Sequence, residues 1–221
     1  TQMRFDEENA KGGVHGRQLR LIVEDTAYDP KKAVLAAQKL IQRDKVFAVI
    51  HNLGSPVVMS TLPLFLDAGV LHLFPAAPLK EVYEPVHPLK FAMSPSYTLS
   101  VPPAARHLIQ GNGYRRVGIL YQDDDMGLEV LRGLDAMMLD LKLDWCEKVS
   151  YKRGATDFSS QVAKLKASGC DFVVLATVVR ETIGAYKEAK RIGWTVPMLV
   201  TASGYTAQIH QLGGREMDGL F

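Results

Sequence analysis

The sequence contains little cysteine, no long apolar run and almost no net charge. Cys146 and Cys170 are its only cysteines. They are well separated and form no CxxC pair, so neither a cysteine metal cluster nor a disulfide framework is expected. No uncharged apolar run approaches the roughly 18 residues of a membrane-spanning helix. Twenty-six Lys and Arg against 24 Asp and Glu leave a net charge of +2. This balance argues against nucleic acid as a partner, because nucleic-acid-binding proteins carry a clustered basic face.

Sequence motifs of catalysis and cofactor binding are also missing. There is no GxxxxGK[ST] phosphate loop, no GxSxG nucleophile turn and no HExxH or HxxxH pair. The glycine-rich stretch 12–16 follows a predicted helix, whereas a dinucleotide loop must follow a strand, so it is predicted to be a turn. Residues 123–125 (Asp-Asp-Asp) lack calcium-loop spacing. A solvated loop near a helix N-terminus is favoured there over a metal site. No cofactor and no enzymatic activity are therefore expected.

Short aliphatic runs alternate with segments of helical periodicity, which predicts an α/β fold with buried parallel strands. Strands are predicted at 19–23, 46–50, 70–74, 117–121, 172–176 and 198–201. Helices are predicted at 1–10, 31–43, 56–68, 128–141 and 158–167, several of them ended by a glycine: Gly69, Gly111, Gly169 and Gly193. The chain begins within a predicted helix that no strand precedes and ends as an apolar run starts, so it is expected to be part of something longer. No signal-peptide pattern is present, so the start of the chain does not indicate localisation.

A proline-rich stretch interrupts this alternation. Residues 84–103 contain five prolines and no clear helical stripe, and proline stops both helices and central strands. A crossover between two lobes is predicted there. A long surface loop within one domain is the alternative.

Two neighbouring strand ends carry the strongest indication of a binding site. Asn52-Leu53-Gly54-Ser55-Pro56 (52–56) follows one predicted strand. Ser55 is predicted to cap the next helix, leaving the N–H groups of Val57 and Val58 free to bind an anion. The stretch 74–78 repeats this arrangement after the next strand with small residues. An ordinary helix cap explains the first loop alone, but two adjacent loops favour binding.

Several stretches resemble the leucine/isoleucine/valine-binding-protein family of type I periplasmic solute-binding proteins. They are residues 9–41 (NAKGGVHGRQLRLIVEDTAYDPKKAVLAAQKLI), DKVFAVIHNLGSP, DAGVLHLFPAA and RRVGILYQDDDMG. The resemblance implies two Rossmann-like lobes with parallel sheets and a hinge. The lobes would be an incomplete N-terminal one at 1–95 and a C-terminal one at 96–217, with 218–221 beginning a crossover back. It also implies a periplasmic monomer that passes a small carboxylate ligand to the membrane permease of an ABC transporter.

The resemblance also assigns site residues. Ser55 matches the serine that binds the ligand carboxylate, within the loop that includes Leu53 and Gly54. Ala76 and Ala77 match residues whose backbone contacts the ligand. The other site residues expected are Tyr97, Met126, Val179, Arg180 and Ser203. A cysteine pair found in some members maps to Tyr28 and Gly54, so that disulfide cannot form here.

Departures from the family pattern predict the ligand class. Ser203 stands where amino-acid binders place the glutamate that pairs with the ligand ammonium, and a buried ammonium without a partner is costly. An aromatic or other organic acid is therefore favoured, with flat apolar walls expected from Phe74, Tyr97, Met126 and Tyr205. The alternatives are an amino acid, if Glu181 or residues 123–125 supply the charge, and a ligand-sensing receptor ectodomain. A metal-dependent enzyme and a nucleotide-binding regulator are less favoured.

Overall fold

The computed structural model describes residues 1–221 and contains two separate parallel sheets, which confirms the predicted α/β class. The first sheet has the order β1-β2-β3, with strands Ala48–Ile50, Leu71–Leu73 and Lys90–Phe91. The second has the order β5-β4-β6-β7. Its strands are β4 (Val117–Gln122), β5 (Glu147–Tyr151), β6 (Phe172–Ala176) and β7 (Met198–Val200). Every pairing in both sheets is parallel.

Helices follow most of the strands. They are α1 (Gln2–Ala10), α2 (Pro30–Gln38), α3 (Ser55–Asp67), α4 (Tyr97–Asn112), α5 (Asp125–Asp140), α6 (Ser159–Ala167), α7 (Val179–Arg191) and α8 (Gln208–Gly213). A π-helical turn, Lys39–Arg43, continues α2, and short 3-10 turns lie at Lys80–Val82 and Gly214–Met217. No helix has both the length and the apolar character needed to cross a membrane.

The second sheet is buried on both faces. Leu120, Val173 and Leu175 point to a core shared with α6, α7 and α8. Ile119 and Val174, next to them in the chain, point to a core shared with α4 and α5. This alternation is the two-residue period of a strand covered by helices on both sides, and it explains why the strand sequences are continuously apolar.

The predicted strand at 19–23 is wrong. No strand pairs with these residues; only the Asn9 side chain fixes Leu19, at 2.7 Å from its backbone N–H. Val23 is 77% exposed. A strand exists only where a neighbour completes the ladder, and local β propensity cannot supply that neighbour.

The stretch 84–103 is more ordered than its prolines predicted. It contains β3 and the first turns of α4, with Pro102 and Pro103 inside that helix. The two prolines remove the donors for the carbonyls of Thr98 and Leu99. Both residues line an open surface groove, where water can replace the lost bonds. This explains why the helix tolerates them. The predicted lobe boundaries after residues 95 and 217 stay predictions.

Two smaller expectations about the helices and strands also need correction. Strand β5, whose sequence alternates, was not predicted. Gly111 lies within α4, and the left-handed residue that ends this helix is Gly113, with φ 72°. Leu220 bridges to Met198 at the edge of the second sheet, and the crossover expected to begin at 218–221 stays a prediction.

The two cysteines are close together, although they are distant in the sequence. Their Sγ atoms lie 2.8 Å apart and both residues are free thiols. Their separation in the sequence was therefore not a valid reason to expect that they cannot form a disulfide.

A buried histidine makes the stability of the first sheet depend on pH. Burial, reinforced by the Lys90 ammonium, lowers the pKa of His72 from 6.5 to about 4. The folded protein thus binds fewer protons than the unfolded chain between these values. We therefore expect the free energy of unfolding to fall by up to about 3 kcal/mol as the pH decreases from about 6.5 to 4, because His72 takes up its proton more readily in the unfolded chain. Urea unfolding of the wild type and His72→Gln at several pH values measures this, and equal slopes against pH would contradict it.

Candidate functional site

The loops after β1 and β2 continue the first sheet beyond its strands. The Gly54 N–H donates to the Ala76 carbonyl at 3.1 Å, and the Ala76 N–H donates to the Asn52 carbonyl at 2.9 Å. Leu53 and Ala76 form a parallel bridge. The structure thus brings together the two loops that the sequence analysis singled out. Asn52 is anchored below them, because its amide lies 2.9 Å from the Thr61 hydroxyl.

The start of α3 differs in detail from the prediction. Gly54, with φ 99°, occupies the N-cap position, and Ser55 is the first residue of the helix. The Val58 N–H is not free, since it donates to the Gly54 carbonyl at 2.8 Å. The N–H groups of Ser55, Val57 and Ala77 have no backbone acceptor. These three donors lie at this edge of the sheet, beside the positive end of the α3 dipole.

The second sheet presents its own loops at the carboxyl ends of β4, β6 and β7. Its strand order reverses direction between β4 and β6, and open α/β sheets bind ligands at such a switch point. Gln122 and Asp124 lie at the end of β4, where Asp124 caps α5 by accepting from the Met126 N–H at 3.0 Å. Asp123 pairs with Lys152 on the surface. Asp123 and Asp125 are exposed, as the solvated-loop interpretation expects, but the Asp124 side chain is only 8% exposed and does not fit it.

The remaining predicted site residues divide into two groups. Tyr97 is 3% exposed and lies close to Ser203, whose hydroxyl offsets part of the rise that burial causes in the Tyr97 pKa, so the structure brings these two residues together. Met126 is 1% exposed and packs in the core that contains Tyr97. Val179 is half-buried against the opposite core. The Arg180 side chain is 70% exposed and reaches only Glu181, at 3.9 Å.

Contacts between residues that are far apart in the sequence connect the two sheets. Arg153 Nη1 donates to the Tyr28 carbonyl at 2.6 Å, and its guanidinium lies 5.2 Å from the centre of the Tyr28 ring. The Gln122 amide donates to the Tyr28 hydroxyl at 3.2 Å. Burial, with the nearby Asp124 carboxylate, raises the pKa of Tyr28 to about 12, so the hydroxyl stays neutral. We call Tyr28, Gln122, Asp124 and Arg153 the cross-sheet contact.

The Tyr28 ring also covers Gly54, in the loop 52–56 that follows β1. A Cβ atom on Gly54 would lie 2.2 Å from the ring, so the glycine leaves room for it. The family resemblance maps a cysteine pair of some members onto these two positions. That correspondence was the available signal for their contact, but nothing in the sequence linked Tyr28 to Arg153.

A second residue was not included among the predicted site residues. Glu181, in the first turn of α7, is 3% exposed and its Oε2 atom has no hydrogen-bond partner. Burial raises the pKa of this carboxyl. Leaving a buried carboxylate oxygen unpaired is costly, which makes Glu181 a buried acidic group with an unused acceptor at the carboxyl end of β6.

The sequence model for periplasmic binding proteins matches residues 1–221. The chain belongs to the periplasmic binding protein family. Among curated relatives, the Leu/Ile/Val-binding protein of Citrobacter freundii is 26% identical over 96% of the chain. The chain spans 58% of that relative's length. The proteins that it resembles are binding proteins rather than enzymes.

Solved structures of this family share the fold. A fatty acid ABC transporter substrate-binding protein from Thermomonospora curvata has a TM-score of 0.89 at 24% identity, covering 99% of this chain and 56% of its own. A branched-chain amino acid transporter substrate-binding protein from Streptococcus pneumoniae, solved with isoleucine, has a TM-score of 0.85 at 18% identity. The match covers 99% of this chain and 62% of that protein. An R. palustris solute-binding protein solved with 4-hydroxybenzoate has a TM-score of 0.83 at 22% identity. The match covers 96% of this chain and 59% of that protein.

The contact between Gly54 and Tyr28 can be tested by a matched pair of substitutions. Gly54→Ala should lower the free energy of unfolding by roughly 2–4 kcal/mol, because it adds backbone strain and displaces the Tyr28 ring. Gly12→Ala is the control, because the φ of Gly12, 106°, is close to that of Gly54 and an added Cβ atom would meet nothing within 4 Å. It should therefore show the strain alone. Urea unfolding measures both, and equal losses would show that the ring does not press on Gly54.

Proposed function

We propose that the chain forms the ligand-binding part of a periplasmic solute-binding protein of an ABC transporter. The ligand is a small carboxylate, held between the loops of the two sheets. The observation that carries this proposal is the set of unpaired N–H groups at Ser55, Val57 and Ala77, opposite the second sheet's switch point and beside the cross-sheet contact.

The first sheet supplies the carboxylate site. The three N–H groups and the Ser55 hydroxyl are hydrogen-bond donors, and a charged acceptor makes such bonds stronger than a neutral one. The start of α3 adds a favourable dipole. An anion at this position would satisfy donors that the folded chain leaves without partners.

The second sheet favours a ligand without an ammonium group. Ser203 carries no charge, and its hydroxyl is occupied by the Thr201 hydroxyl, 3.0 Å away, and by the Thr177 carbonyl, to which it donates at 3.3 Å. Asp124 already accepts from the Gln122 amide and the Met126 N–H. An aromatic or other organic acid therefore fits this side better than an amino acid.

One observation favours an amino acid instead. The unpaired Oε2 of Glu181 could accept a hydrogen bond from a ligand ammonium. This second candidate keeps the same carboxylate site and changes only the partner of the other end of the ligand.

Calorimetric titration with leucine, isoleucine, phenylalanine, 4-hydroxybenzoate and a short fatty acid distinguishes the two candidates. Tight binding of an organic acid without binding of the amino acids supports the first. The reverse result supports the second, and Glu181→Gln should then abolish it. No binding by any member of the panel would contradict a small-carboxylate site.

With the ligand found in that panel, Ser55→Ala should weaken binding by about 1–3 kcal/mol, as expected for a hydrogen bond to a charged group. Ser60→Ala is the matched control. It lies on the same helix, where its hydroxyl donates to the Val57 carbonyl at 2.8 Å. An unchanged dissociation constant for Ser55→Ala would remove this hydroxyl from the site.

The cross-sheet contact is expected to hold the ligand-bound, closed form. Arg153→Gln removes the stacking on Tyr28 and most of the attraction to Asp124. It should increase the ligand dissociation rate about 5–30-fold, the equivalent of roughly 1–2 kcal/mol. Lys152→Gln is the control, because Lys152 is 85% exposed and pairs only with Asp123. Stopped-flow fluorescence measures both rates, and identical rates would exclude a role for Arg153 in closure.

The transport role implies a membrane permease as partner and a monomeric binding protein. The same fold serves equally well as the sensing domain of a receptor. Ligand-dependent binding to permease subunits in detergent or nanodiscs would support transport over sensing.

A further inference from the structure

The two cysteines lie at the opposite end of the second sheet from the proposed ligand site. Cys146 directly precedes β5, and Cys170 lies just before β6. These strands flank β4 on either side. The Cys146 N–H donates to the Val117 carbonyl and the Asp171 N–H donates to the Arg116 carbonyl, both at 2.9 Å. The start of β4 therefore fixes both cysteine segments in place.

A glycine in the central strand lets the two side chains meet. A Cβ atom on Gly118 would lie 2.8 Å from the Sγ of Cys170 and 2.7 Å from the Leu165 side chain. Any other residue would therefore push Cys170 away. In the structure, Sγ of Cys170 lies 2.8 Å from Sγ of Cys146. A disulfide needs the same two atoms to approach to about 2.05 Å.

We propose that Cys146 and Cys170 form a disulfide bond that ties β5 to β6 across β4. The compartment invoked is the periplasm of the proposed function, but the bond does not depend on the ligand. The oxidant is a disulfide, either a small one such as oxidised glutathione or that of a thiol oxidase, because disulfides persist where such oxidants are present.

The two thiols have different exposure, which orders the steps. Cys146 is half-buried and can reach an oxidant, whereas Cys170 is 5% exposed. The Cys146 thiolate attacks one sulfur of the oxidant's disulfide and expels the other as a thiolate. Cys170 then loses its proton and attacks the Cys146 sulfur of the mixed disulfide, releasing the second oxidant thiol. The chain loses two protons and two electrons, and the oxidant becomes two thiols.

The bond would close a loop that contains β5 and α6. Such a cross-link reduces the number of conformations open to the unfolded chain, and this stabilises the folded state. We expect the oxidised protein to melt roughly 5–10 °C above the reduced one. Ligand affinity should not differ between the two forms, since the cysteines are at the amino ends of the strands and the loops of the site are at the carboxyl ends.

The full chain is equilibrated with oxidised or reduced glutathione, denatured, alkylated with iodoacetamide and weighed by mass spectrometry. No alkylated cysteine after oxidation and two after reduction are expected, with Cys146→Ser and Cys170→Ser each retaining one thiol that cannot form the internal bond. In thermal melts, dithiothreitol should lower the melting temperature of the oxidised wild type but not of the double serine variant. Two alkylated cysteines after oxidation, a stable glutathione adduct on Cys146, or a disulfide-linked dimer would each overturn the proposal.

Discussion

The cross-sheet contact between Arg153 and Tyr28 is the interaction on which the proposed site depends. Each parallel sheet collects its loops at the carboxyl ends of its strands, but this alone gives two separate edges. The Arg153 guanidinium, donating to the Tyr28 carbonyl at 2.6 Å, places one edge opposite the other. Other contacts also join the two halves, since the Lys80 N–H donates to the Glu129 carboxylate at 3.3 Å, but the Arg153 contact is the one that lies beside the donors near Ser55.

Most of the fold followed from the sequence, because buried parallel strands carry a strong signal. The apolar run of β6 was predicted at the observed residues, since both of its faces are covered. The strand predicted at 19–23 failed because pairing depends on a neighbour that the local sequence does not specify. The prolines of α4 misled for a related reason: their cost depends on whether water can reach the carbonyls they leave free.

The site was predictable in part. The loops that contain Ser55 and Ala77 were found because small residues after adjacent parallel strands must share one edge. The exact cap of α3 was not, since Gly54 supplies a positive φ that Ser55 would adopt only with strain. Tyr28 and Arg153 are 125 residues apart in the sequence, and no periodicity or motif links them. Their contact depends on the final packing of the lobes.

The backbone hydrogen bonds that join residues 52–54 to residue 76 have a consequence for how a ligand would bind. These loops are held by backbone bonds to each other and by Asn52 to the interior, so they need no ordering when a ligand arrives. The entropic penalty of binding then falls on the movement of whole lobes rather than on the folding of flexible segments. In the proposed function, the half of the cleft around Ser55 would therefore be preorganised, and selectivity among anions would arise mainly from the residues of the opposing half.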